Sequence, residues 1–154
     1  MTRYKFYGWE SCAGVKPLEG ALEGAGASSW LTSPLALYDA LSDGLWRLET
    51  CAPRLQDRWT PDNPTLGQCS ITAFLVQDIF GGEVYGIPRE GGTFHCYNVI
   101  GDARFDLTSE QFGDEAASLV YDDKHLQERE IHFAKAEKKA RYLMLRSLLE
   151  NYTT

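Results

Sequence analysis

Three side chains that could do chemistry together stand in one stretch of the chain: Cys69, His95 and Asp106. Nucleophilic acyl transfer needs those types: a thiolate to attack a carbonyl, a base to take the thiol proton, and a carboxylate to hold the base in one tautomer. Cys69 is followed by the apolar run Ile71 to Val76, which reads as a helix beginning near the cysteine. The helix dipole and the unpaired first-turn N–H groups favour a thiolate there, and the same N–H groups can donate to an oxyanion. Cys69 is therefore the expected nucleophile. The plainer alternative is a cysteine that fills space under a helix.

His95 is the expected base. Strand alternation puts His95 and Tyr97 on one face and Cys96 and Asn98 on the other, so His95 is expected to face the Cys69 helix and Cys96 to point away. Asp106, on the next strand, is the expected orienting acid; its alternative is to cap the turn that follows. Gln68 and Asn63 are candidate oxyanion or substrate donors, with a helix cap and an Asx-turn as their respective alternatives. His125 and His132 stand in charged sequence and are expected in solvent. A metal on Cys69, His95, Cys96 and Asp106, or a redox pair of Cys69 and Cys96, would need neighbours on opposite strand faces to meet. No metal or other cofactor is expected.

The elements that must position these residues divide the chain at about residue 31. Residues 1–31, rich in Gly, Ala and Ser, are expected to form a loosely held arm, and residues 32–154 a single domain. Ser33 and Pro34 suit a helix start, and Leu35, Tyr38, Leu41, Leu45 and Leu48 continue an apolar stripe from there. A second helix is expected from about Gln68 to Phe80, stopped by Gly81-Gly82, and its apolar circumference predicts burial. Strands are expected over Glu83 to Ile87, Thr93 to Ile100 and Ala103 to Leu107, as an antiparallel meander. A long charged helix over Gln127 to Tyr152 completes an α+β chain.

Composition narrows the function classes. A formal charge of −7 argues against nucleic acid as a partner. No apolar run is long enough to span a bilayer, and the first residues do not resemble a signal peptide, so a cytoplasmic protein with free thiols and no membrane partner is expected. The four cysteines form no CxxC pair.

Gly67-Gln68-Cys69 with the apolar run behind it is similar to the active-site segment of transglutaminases, and Phe105-Asp106-Leu107-Thr108 resembles their aspartate strand. That resemblance implies a papain-like, transglutaminase-like fold, a buried nucleophile helix on a small antiparallel sheet, with Cys69, His95 and Asp106 as the triad. Ser70 stands where animal transglutaminases carry Trp. A closer resemblance is to the bacterial YunG-like family, through Trp59, Asn63-Pro64, Gly67-Gln68-Cys69, Phe80-Gly81-Gly82, His95, Asn98 and Asp106-Leu107-Thr108. It implies a family identity rather than a reaction. The expected function is cysteine-dependent acyl transfer on a small amide or peptide, by hydrolysis or transamidation. The alternative is an inactive papain-like binding or regulatory module that acts through a protein partner.

Overall fold

The structure, a computed structural model, describes residues 4–21 and 29–152. In chain order the helices and strands are α1 (Trp9–Cys12), α2 (Pro34–Ala40), α3 (Cys69–Phe80), β1 (Glu83–Pro88), β2 (Phe94–Ile100), β3 (Ala103–Phe105), α4 (Arg129–Phe133) and α5 (Ala136–Glu150). The architecture is α+β: three antiparallel strands in the order β1-β2-β3, with helices packed around them.

Ser33 caps α2 by accepting the Ala36 N–H, and Pro34 fills the first helical position. The helix passes into a wider turn over Leu41–Leu45, where Gly44 takes φ 92°. The expected apolar stripe breaks there because a left-handed residue cannot continue a right-handed helix. Leu48, its last member, is 40% exposed. α3 is apolar almost all round and is buried from Ser70 to Val76, so it occupies the centre. Gly81 ends it, its N–H donating to the Gln77 carbonyl at 2.8 Å.

α3 covers one face of the sheet. Asn98 on β2 donates its side-chain N–H to the Ala73 carbonyl of α3 at 2.9 Å, a buried polar tie that sets the helix against the strand. β2 is the middle strand, yet β3 pairs with it only over Asn98 to Ile100. The other half of β2, Phe94 to Tyr97, pairs with β1 alone and leaves one edge open. The Gly86 N–H goes to the His125 carbonyl, away from β2, so the opposed Cys96 turns its own N–H to that open edge.

The segment after β3 makes a 3-10 turn over Ser109–Ser118 and then runs extended beside β1, bridging Tyr85 to Leu126. The expected C-terminal helix is divided into α4 and α5, which meet at Lys135. α4 is tied to α3 by Arg129, which pairs with Asp78 and lies over the Phe74 and Phe133 rings. α5 buries Tyr142, Leu145 and Leu149.

Within the stretch expected as an arm, residues 4–21 pack onto the domain. Phe6 and Cys12 belong to the core, and the Tyr7 carbonyl accepts the Asp106 N–H at 2.9 Å. The rings of Tyr4, Phe6 and Tyr38 meet there, apolar surface that gains by cover. Residues 22–28 of the Gly/Ala-rich stretch lie outside the described residues. Among the described residues no helix is long and apolar enough to cross a membrane.

Candidate active site

The site begins at Gly67. Its φ of +74° turns the chain into α3, and its carbonyl accepts the Ala52 N–H at 3.0 Å. A Cβ at Gly67 would lie 2.5 Å from the Cys51 sulfur and 2.9 Å from the Ala52 nitrogen. Gly67→Ala is expected to lower stability by about 2 kcal/mol or more, read from the urea midpoint, because left-handed strain and a clash with backbone act together. A variant within about 0.5 kcal/mol of wild type would contradict that packing.

Cys69 then sits half-buried in the first turn of α3, which has no side-chain cap. Its sulfur lies at the open edge of β2, 3.9 Å from the Phe94 carbonyl, and takes a hydrogen bond from the Cys96 N–H. His95 is buried beside it. Nε2 of His95 stands 2.6 Å from Oδ2 of Asp106, and the opposite ring nitrogen, Nδ1, is left to hydrogen-bond Cys69. The structure thus brings Cys69, His95 and Asp106 into one connected row.

Asp106 is 1% exposed, so all its acceptor capacity must be met inside the protein. Its two oxygens take different partners. Oδ1 accepts the Thr108 N–H at 3.1 Å and the Thr108 hydroxyl at 3.2 Å. Oδ2 faces His95 and accepts the Tyr121 hydroxyl at 2.7 Å. Turn-capping and imidazole contact, alternatives in the sequence, coexist on one carboxylate.

The electrostatics follow from the contacts. A hydrogen bond from the Cys96 thiol stabilises the Cys69 thiolate, burial opposes it, and His95 adds to it; the Cys69 thiol is held well below its ordinary range. The same contact, together with burial, holds Cys96 well above that range, as a donor. Burial disfavours imidazolium at His95, but Asp106 and Cys69 outweigh it and lift His95 to about 10. Both shifts run in the direction of a thiolate–imidazolium pair.

Cys96 corrects the facing expected from the sequence. Cys96 and Asn98 point toward α3, and His95 lies on the opposite face with Phe112 and Tyr97. Both neighbours still reach Cys69, because the sulfur sits at an open strand edge rather than over one face. Gln68 and Asn63 make contacts of their own. Gln68 is fully buried and donates its side-chain N–H to the Arg47 carbonyl at 3.1 Å; Asn63 closes a turn with Thr60.

The family model described as YunG protein matches residues 33–154, most of the chain. The chain belongs to the YunG family. A relative from Bacillus subtilis (strain 168), named "Uncharacterized protein YunG", is 44% identical over 55 residues, covering 36% of this chain and 47% of that protein. The matched stretch thus spans about half the length of that relative. No solved structure matches.

In this YunG family member Cys69 opens onto a cleft of about 960 Å³, while His95 and Asp106 lie behind it. The far wall is built from α4, α5 and the 124–128 segment. His132 on that wall is half-buried rather than solvated as expected. Its Nε2 meets Gln127 Oε1 and its Nδ1 meets Lys138 Nζ, each at 2.8 Å. Burial and then Lys138 lower it to about 4, so it is neutral and Nδ1 accepts from the ammonium. His125 is exposed, at the cleft rim near the Phe94 ring. Tyr121 and Thr108 escaped sequence reasoning, which considered Cys96 and His132 but expected the one to point away and the other to lie in solvent. Only Thr108, two residues after Asp106, carried a local signal, that of an Asx-turn.

Proposed function

We propose that this protein is a cysteine-dependent acyl-transfer enzyme with a papain-like, transglutaminase-like arrangement of Cys69, His95 and Asp106. The observation that supports it is His95 held between the two: Nε2 on a buried carboxylate at 2.6 Å and the opposite nitrogen on a thiol that lines a cleft. A structural histidine needs one partner; a base poised on a thiol needs this pair.

The Cys69 thiolate attacks an amide or ester carbonyl, and the N–H groups of the uncapped first turn of α3 receive the oxyanion. The His95 imidazolium gives its proton to the leaving amine or alcohol, and a thioester remains on Cys69. His95, now neutral, takes a proton from water as the oxygen attacks the thioester, and the acid and the Cys69 thiolate are released with the proton on His95. Asp106 keeps the ring in place throughout. A cleft of about 960 Å³ suits a small amide or short peptide.

The test is acyl-enzyme trapping. Incubation with p-nitrophenyl acetate, quenched in acid, is expected to add one acetyl group to Cys69 and to no other cysteine by peptide mass spectrometry. No acetyl at Cys69 under conditions that acetylate free cysteine would turn the reading toward a non-catalytic binding module.

A further inference from the structure

The chain carries a net charge of −7, yet the cleft in front of Cys69 is lined by five Lys or Arg against two Glu. Of these, Arg141 is paired with Glu137. Among the described residues Arg54, Lys124, Lys135 and Lys138 have no ion pair. A positive recess in an acidic protein focuses its field on whatever enters, since low-dielectric walls confine the field lines.

Lys138 is the member best placed to act on a ligand. It is half-buried on α5, and the partner it meets, His132 Nδ1, is neutral and takes a single N–H. An ammonium has three N–H donors, so two remain for the cleft. His132 is in turn fixed by Gln127, so Lys138 is held by a side chain that is itself held. Its charge reaches Cys69, and both residues line the same cleft. Leu126 and Ile131, 51% and 65% exposed, line that cleft too and offer an apolar surface beside the charge.

We propose that the cleft selects an amide or ester substrate bearing a carboxylate, which Lys138 binds with Lys135 in support while Leu126 and Ile131 contact its apolar part. A carboxylate fits better than a phosphate dianion, because Glu128, which has no ion pair among the described residues, lines the same space and would oppose a second negative charge. The inference rests on Cys69 as the nucleophile, and its test separates the two.

Cys69 can be alkylated by iodoacetate, which carries a carboxylate, or by iodoacetamide, its neutral isostere. The ratio of the two rate constants cancels the thiolate fraction and reads only the charge of the reagent. At low salt that ratio at Cys69 is expected to exceed the ratio for free cysteine about tenfold, the lower end of electrostatic steering. It should fall toward the free-cysteine value in Lys138→Gln, persist in Lys138→Arg, and collapse in about 1 M salt, where screening acts over ~3 Å. A ratio equal to that of free cysteine, or one untouched by Lys138→Gln, would overturn the proposal. If Lys138→Gln fails to fold, the salt series and Lys138→Arg decide. Slow iodoacetamide labelling indifferent to His95→Ala would count against the nucleophile instead, and the ratio would still be measurable.

Discussion

His95→Ala is expected to slow acylation of Cys69 by p-nitrophenyl acetate about 10²–10⁴-fold near neutral pH, the usual contribution of a positioned acid–base group. Two losses combine. Without the imidazolium the Cys69 thiol returns toward its ordinary range, so less thiolate is present. Without the ring no group shuttles the proton in the later thioester hydrolysis. Cys96 still donates to the Cys69 sulfur, so the variant retains some activation. Stopped-flow release of p-nitrophenolate measures the effect. A loss below about threefold would mean that His95 is a core residue and that Cys69 acts alone.

Asp106→Ala is expected to cost about 3–5 kcal/mol of stability, the range for removing one partner of a buried charged pair. The carboxylate is 1% exposed, and four groups depend on it: His95, Tyr121 and both the N–H and hydroxyl of Thr108. Alanine strands them in a dry interior. Urea unfolding of the wild type and the variant measures the loss. Asp106→Asn separates fold from chemistry, since an amide keeps the shape and one acceptor oxygen. Its N–H facing Nε2 would demand the other tautomer and leave Nδ1 unable to accept the thiol proton. Stability should fall less in Asn than in Ala, while Cys69 reactivity falls in both. Equal stability of Ala and wild type would contradict the bonding of Asp106.

The course of the fold was legible where the chain is locally consistent. Ser33-Pro34, the apolar circumference of α3 and Gly81-Gly82 each act over a few residues, and each element starts or stops where those residues require. The meander was legible for the same reason. Less legible was anything decided by where one element ends beside another. Alternation along β2 separates His95 from Cys96, but β3 stops after three residues and leaves an edge where both reach Cys69. The division between α4 and α5 has no Gly or Pro to mark it. The charged C-terminal sequence resembles a solvated helix face, yet α5 carries Lys138 to the cleft wall, where it meets His132 of α4. Tyr121 reaches Asp106 across fifteen residues of turn and extended chain, a contact no local pattern encodes.

The central claim is that His95, held by Asp106, adds to the Cys96 hydrogen bond in favouring the Cys69 thiolate, and the pH profile of iodoacetamide alkylation tests it most directly. Cys12, Cys51 and Cys96 are at most 1% exposed, so native-state labelling reports Cys69. Peptide mass spectrometry from pH 5 to pH 10 in wild type and His95→Ala gives the two curves. Wild type is expected to label rapidly with a midpoint well below the ordinary thiol value of about 8.5, and His95→Ala to shift that midpoint upward. A wild-type midpoint near 8.5, the same in both proteins, would contradict the claim.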